Sequence, residues 1–213
     1  MSSIASIRKE YRLNSLSEEK VGRDPFDQFG QWWNEALASE IDEVNAMTLA
    51  TASNDGIPSA RVVLLKGFDE KGFVFFSNYN SYMGRQLEEN PRACLVFFWK
   101  ELERQVRITG LVEKVSSGES DEYFKSRPEG SRLGAWASPQ SEVIPDRHWL
   151  VENEKKFREK FDGSEIQRPR HWGGYRVKPI SFEFWQGRHN RMHDRIQFSL
   201  EENGTWKIER LAP

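Results

Sequence analysis

Arg168, Arg170, Arg176, Arg188, Arg191 and Arg195, with Lys178, His171, His189 and His193, crowd one stretch whose only acids are Glu183 and Asp194. Guanidinium forks match phosphate and carboxylate geometry, and imidazole moves protons near neutral pH. The chemistry on offer is anion binding coupled to proton transfer, although a solvated charged loop has the same composition. His189 and His193 stand four apart, a metal-pair spacing on a helix, but Gly187 and the strand pattern around them oppose a helix and no third ligand is evident. Earlier, Arg61 and Lys66 bracket the apolar run Val62-Val-Leu-Leu65. Alternation puts Arg61 on the side of Val63 and Leu65, and Lys66 with Val62 and Leu64; two solvent-facing strand ends give the same pattern. Arg127 and Ser131 follow Tyr123-Phe124 as a further donor group, suited to an anion or to an ordinary surface loop. No G-x-G-x-x-G, G-x-x-x-x-G-K-[ST] or G-x-S-x-G motif occurs, so a bound phosphate must be held by side chains.

Something must position these groups, and the hydrophobic pattern says what. Residues 1–24 are polar and charged and read as a mobile or ligand-ordered arm. Asp24-Pro25 reads as an N-cap and first helical residue, with Phe26, Phe29, Trp33 and Leu37 at helical spacing to about Ser39. Strands are predicted over 47–53, 60–65 and 73–77, turning at Asn54-Asp-Gly56 and Asp69-Glu-Lys-Gly72. A short helix over 81–89 stops before Pro91, and strands follow at 93–99 and 105–115. A helical stretch at 117–125, a loop over 126–141 and a charged helix capped by Asp146, with Trp149, Leu150, Phe157 and Phe161 on one face, come next. Strands at 181–186, 195–200 and 205–210 close the chain. Consecutive hairpins with inserted helices imply an α+β protein built on an antiparallel barrel, with 25–213 as a single domain.

Composition agrees. The chain has 213 residues, 31 Lys+Arg against 33 Asp+Glu, and a formal charge of −2, which disfavours a general nucleic-acid binder. An aromatic share of 13% supplies a core despite 30% charged residues, which excludes a disordered chain. The single cysteine, Cys94, excludes an internal disulfide and a Cys-rich zinc site, and its place in an apolar strand suggests an inert core residue. The longest apolar run, residues 94–99, is far below the ~20 residues of a membrane span, and the first residues hold no apolar signal stretch. The expectation is a cytoplasmic soluble protein. His148 and His171 are expected to be surface or structural.

The stretch Phe184-Trp-Gln-Gly-x-x-x-Arg191-Met-His193-Asp-Arg195 closely resembles the C-terminal signature of the pyridoxamine 5′-phosphate oxidase family. The likeness extends to Arg8-Lys-Glu-Tyr11, Arg61-Val-Val-Leu-Leu-Lys66, Leu102-Glu-Arg-Gln-Val106, Tyr123-Phe-x-Ser-Arg-Pro128, Gly134-Ala-Trp, Gln140-Ser141, Trp172-Gly-Gly174 and the final Glu209-Arg-Leu-Ala-Pro213. It implies an FMN-binding split β-barrel, a homodimer with FMN at the subunit interface, and oxidation of pyridoxamine or pyridoxine 5′-phosphate to pyridoxal 5′-phosphate. In that reaction a hydride passes to flavin N5 and O2 is reduced to H2O2. For FMN the resemblance implies Arg61, Lys66, Phe76, Ser77, Gln105, Gln140, Ser141, Trp185 and Arg195. For substrate it implies Lys66, Tyr123, Arg127, Ser131, Arg191 and His193, the last two in the catalytic role, with Arg8 and Tyr11 closing as a lid. One departure stands out. The family usually carries Ser-Arg-Lys-Gly where this chain reads Ser81-Tyr82-Met83-Gly84, so two cations expected on the FMN phosphate are missing. The competing reading is a protein of the same fold that binds FMN or pyridoxal phosphate with weakened or lost oxidase activity.

Overall fold

Asp24 opens the first helix as its sequence implies. Its carboxylate accepts the Phe26 amide at 2.8 Å, Pro25 takes the first helical position, and Asp27 complements the positive end. The computed structural model describes Ile4 and residues 10–213, so the expectation for Arg8 lies outside the described residues. Helix α1 runs Pro25–Leu37, and its buried stripe is Phe29, Trp32 and Ala36. That corrects the expected Phe26–Phe29–Trp33–Leu37 face, since Leu37 is 57% exposed. Of the adjacent tryptophans it is Trp32 that meets Phe184 edge-on at 5.3 Å, with the Arg104 guanidinium 4.4 Å over its ring.

The remaining elements are β1 (Ala46–Ala52), β2 (Pro58–Leu64), β3 (Gly67–Asp69), β4 (Gly72–Asn78), α2 (Tyr82–Glu89), β5 (Arg92–Trp99), β6 (Arg104–Lys114), α3 (Ser117–Ser126), α4 (Glu129–Ala137), α5 (Arg147–Lys160), β7 (Trp172–Gln186), β8 (Asp194–Leu200) and β9 (Trp206–Arg210). The strands pair in the order β2-β1-β5-β6-β7-β4-β3, with β8 joining β7 to β9. Two expectations need correction. Residues 126–141 are not a loop throughout, because α4 occupies 129–137: Pro128 stands at its N-cap and Leu133 and Ala137, four apart, are buried. Strand β7 also begins nine residues before the expected 181, at Trp172, and pairs antiparallel with β4 through Phe76↔Gly174 and Asn78↔Trp172.

The chain divides into two compact units. The first comprises residues 1–49, 94–110 and 179–213. Its core is aromatic: Phe29 meets Phe97 at 5.2 Å, and Phe184 meets Phe198 at 5.7 Å. Each such buried ring contributes about 2–3 kcal/mol. Here β7 and β8 lie in register, with Trp185 opposite Arg195 and Gln186 opposite Asp194.

The second unit comprises residues 50–93 and 111–178. Phe124, Leu133, Ile166 and Trp172 form a buried cluster there, with Phe76, Tyr123, Trp136, Phe157 and Phe161 packed on its margin. No residue of α5 is fully buried; Phe157 and Phe161 cover Trp136 at 5.8 and 5.4 Å. His171 Nε2 lies 3.1 Å from the Ala135 carbonyl.

Candidate active site

In the second unit, β2 carries Arg61 on its more covered face, while Val62 is 69% exposed. Arg61 donates to the hydroxyls of Thr51 (2.6 Å) and Ser59 (2.5 Å), and both hydroxyls reach Oε1 of Gln86 on α2 at 2.6 Å. Burial holds the Arg61 guanidinium below its ordinary pKa. Lys66 is exposed and lines a cavity of about 420 Å³ together with Phe76, Tyr123, Glu122 and Arg176. Ser77 lies half-buried beside Phe76 on β4.

Three rings in this unit are nearly parallel. Phe76 stacks on Tyr123 at 3.9 Å and on Trp172 at 5.6 Å, and Tyr123 lies 6.2 Å from Trp172. Each terminal cation takes a different ring: Lys66 Nζ is 5.9 Å from the Tyr123 centroid, and Arg127 Cζ is 4.4 Å from that of Trp172. Arg127 closes α3, and its Nη1 is buried without a hydrogen-bond partner among the described residues. Ser131 sits one turn later, exposed on α4. Gln140 lines a separate cavity of about 330 Å³ with Asn78, Trp136 and His171. Ser141 is exposed and holds φ at +71°, a left-handed conformation that non-glycine residues rarely adopt.

In the first unit the strand register places Trp185 against Arg195, and the connecting turn brings His193 back onto Trp185 at 4.6 Å between rings. Tyr11 from the arm covers both rings, at 5.7 Å from Trp185 and 6.0 Å from His193. The arm is fastened there by Glu103, whose Oε2 accepts the amides of Arg12 (2.8 Å) and Leu13 (3.1 Å), and by Asp194, which accepts that of Leu16 at 3.0 Å. His193 Nδ1 accepts the Arg188 amide at 3.1 Å, so the neutral ring carries its proton on Nε2. Burial, and then the Arg191 charge, hold His193 below its ordinary pKa of 6.5, against a smaller opposing pull from Asp194. Arg191 itself is exposed at φ +61°. Gln105 is half-buried on β6.

Arg195 donates from Nε to Glu183 Oε1 at 2.8 Å and from Nη1 to the Ala212 carbonyl at 2.8 Å, so the end of the chain helps to hold it. Glu183 is buried and receives Arg107 Nη2 on its other oxygen at 2.5 Å. Sequence reading missed Glu183, Thr51, Ser59, Gln86 and Glu103 as supports of candidate groups. A buried acid amid arginines was the available signal for Glu183. Cys94 is half-buried instead of lying in the core, and burial pushes its thiol up, consistent with an inert side chain.

A family model described as pyridoxamine 5′-phosphate oxidase matches residues 33–160, and a pyridoxine 5′-phosphate oxidase C-terminal dimerisation region matches residues 172–213. A pyridoxine/pyridoxamine 5′-phosphate oxidase of Nostoc punctiforme is 59% identical over 99% of this chain and 98% of its own length. The chain belongs to the pyridoxamine 5′-phosphate oxidase family. A second member, from Cupriavidus pinatubonensis, is 55% identical over the full length of both chains. Among solved structures, PhzG from Burkholderia lata, in complex with tetrahydrophenazine-1-carboxylic acid, is 28% identical, has a TM-score of 0.88, and covers 94% of this chain and 99% of its own. An FMN-binding protein of Nostoc punctiforme related to pyridoxamine 5′-phosphate oxidase is 16% identical at a TM-score of 0.70, over 91% of this chain and 100% of its own. The fold is therefore the split barrel of the oxidase family, as the sequence resemblance implied. Among the described residues no helix is long and apolar enough to cross a membrane.

The contact between the arm and this family signature gives a first prediction. A Cβ on Gly187 would come within 2.7 Å of the Tyr11 Cβ, which is near the backbone and cannot swing aside. Gly187→Ala is expected to push Tyr11 off Trp185 and His193 and to raise KM. Steady-state kinetics check it: Tyr11→Ala should give a similar rise, and the pair together no more than either alone.

Proposed function

We propose that this chain is an FMN-dependent oxidase that converts pyridoxine 5′-phosphate, or pyridoxamine 5′-phosphate with uptake of water and release of ammonia, to pyridoxal 5′-phosphate, with O2 reduced to H2O2. It works in the cytoplasm as a homodimer with FMN at the subunit interface, with 25–213 as one functional domain and 1–24, including Arg8 and Tyr11, as its closing arm. The observation that carries the reading is the buried, unpartnered Nη1 donor of Arg127 beside Tyr123, a cation waiting for an anion in a chain with full-length oxidase relatives. The 59% identity to those oxidases, against 28% to PhzG, favours a phosphorylated B6 vitamer over a phenazine precursor.

The donor set suits FMN. Arg61, Lys66, Ser77 and Ser141 offer cations and hydroxyls for a phosphate and ribityl chain, and Phe76, Gln105, Gln140 and Trp185 offer ring faces, amides and an indole for the flavin ring. Arg195 spends Nε and Nη1 on Glu183 and Ala212, while no described protein group takes its Nη2 donors. When bound, FMN supplies the two-electron acceptor for a hydride leaving the carbon that bears the amine or hydroxyl, and passes the pair to O2.

Lys66, Arg127, Tyr123 and Ser131 anchor the substrate phosphate through charge-assisted bonds worth about 1.5–3 kcal/mol each, which fixes the orientation of the ring. Arg191 and His193 hold the other side of the substrate, and neutral His193 presents Nε2–H as a hydrogen-bond donor towards its polar groups. Because His193 is held below 6.5, protonation should erode kcat/KM only as the pH falls below that ordinary value. A pH profile whose acid limb moves or disappears in His193→Asn checks this; a limb unchanged by the substitution assigns it elsewhere.

The decisive experiment is an anaerobic titration of FMN-loaded protein with pyridoxamine 5′-phosphate, followed by visible absorbance. Bleaching of the flavin that air reverses supports the oxidase. A flavin band that forms and never bleaches establishes the competing binding-protein reading, which the loss of basic side chains at Tyr82 and Met83 favours. The absence of any bound flavin spectrum overturns both.

A further inference from the structure

Three arginines of the second unit, Arg127, Arg168 and Arg176, are held in two different ways. Arg168 pairs with Asp121 at 2.7 Å, and Arg176 with Asp69 at 2.6 Å and Glu119 at 3.2 Å. Arg127 pairs with no carboxylate among the described residues. Its guanidinium lies over Trp172 at 4.4 Å and Phe124 at 5.7 Å instead. A carboxylate partner holds a guanidinium but cancels the charge offered to a ligand. An aromatic face holds it through the ring quadrupole and leaves the formal charge and the N–H donors available.

Trp172 is itself closely packed. It is 7% exposed, edge-on to Phe124 at 5.3 Å, stacked on Phe76, and anchored where β7 begins opposite Asn78. The two glycines after it allow that seat: a Cβ on Gly173 would fall 2.1 Å from the Tyr79 hydroxyl, and one on Gly174 would fall 2.5 Å from Val115. The fold itself thus holds the Trp172 ring, and the Arg127 guanidinium lies over its face.

We propose that Trp172 is a positioning residue for phosphate recognition, holding Arg127 by its ring face so that the cation stays unneutralised and aimed at the phosphate of the B6 substrate. The inference rests on the proposed function and adds to it a residue that, through Arg127, favours phosphorylated over unphosphorylated vitamers. Trp172 touches no substrate in this account; it acts through Arg127.

The test is calorimetric binding of 4-deoxypyridoxine 5′-phosphate and of 4-deoxypyridoxine, which lack an oxidisable group, to the FMN-saturated protein. Trp172→Leu is expected to weaken the phosphorylated ligand roughly 5- to 30-fold, the scale of a desolvated cation–π contact, and to leave the unphosphorylated one within about twofold. Trp172→Phe, which keeps a ring with a smaller face, should recover much of the loss and serves if the leucine variant melts early. In an Arg127→Met background neither change should weaken the phosphorylated ligand further. Equal weakening of both ligands, or an undiminished effect without Arg127, reduces Trp172 to core packing and overturns the inference while the oxidase reading stands. A wild-type protein that binds neither ligand overturns the oxidase reading, and this inference with it.

Discussion

Tyr82→Arg combined with Met83→Lys is expected to tighten FMN binding about 100-fold, the scale of two charge-assisted phosphate contacts less the cost of placing them. The two positions are not equivalent. Tyr82 begins α2 at 46% exposure, so an arginine there keeps its head in water until a phosphate arrives. Met83 is 5% exposed, so a lysine must thread its stem out of the core and returns less. Tyr82→Arg alone should therefore supply most of the gain. The rest of the local apparatus is in place: Ser81 caps α2 by accepting the Gly84 amide at 3.1 Å, leaving a helix N-terminus suited to an anion. Arg61 is tied to the same helix through Thr51, Ser59 and Gln86. Arg85 is no substitute in this geometry, because its guanidinium donates back to the Asn80 carbonyl at 2.6 Å. Quenching of FMN fluorescence on titration measures the change. An affinity unaltered by the double substitution means that the phosphate is held away from α2.

How far the sequence reaches depends on the range of the interactions involved. The capped starts of α1 and α5 were legible because Asp24 and Asp146 act on amides within three residues. Helix α4 was not legible, since Pro128, Gly130 and Gly134 mark a loop by local propensity while Leu133 is drawn into a core shared with Phe124, Ile166 and Trp172. Nor was the start of β7: consecutive glycines read as a turn, but here they admit the Tyr79 and Phe76 rings. The face of α1 was ambiguous because Trp32 and Trp33 stand three and four residues after Phe29, both helical neighbours of it, and only Phe184 and Arg104 choose between them. The candidate ligand groups were recognisable through dispersed motifs, whereas their supports were not. Glu103 holds Arg12 and Leu13 across about 90 residues, and nothing near Glu103 in the chain announces it.

Glu183→Ala is expected to cost about 3 kcal/mol and lower the melting temperature by roughly 6–12 °C, because it removes a buried carboxylate shared by two cations. Glu183 has a side chain 5% exposed, bonded to Arg107 and Arg195 on separate oxygens. Arg107 is 47% exposed and can turn to water, which keeps the cost below that of a fully buried triad. Arg195 cannot do so as readily, since its side chain is 26% exposed and its own carbonyl and Nη1 are tied to Leu211 and Ala212. The stability loss should therefore fall mainly on the Arg195 side, and a double-mutant cycle separates the arms: Glu183→Ala should couple more strongly to Arg195→Ala than to Arg107→Ala. Glu183→Gln retains the volume and one acceptor but not the charge, so it should melt between wild type and the alanine variant. Its effect on the flavin is separable from its effect on the fold. If Glu183 sets the direction in which Nη2 of Arg195 points, the glutamine variant should weaken FMN at temperatures far below its own melting point. Full FMN affinity with a lowered melting temperature would confine Glu183 to holding β7 against β8, and Arg195 would then owe its orientation to Ala212 and the closing residues of the chain.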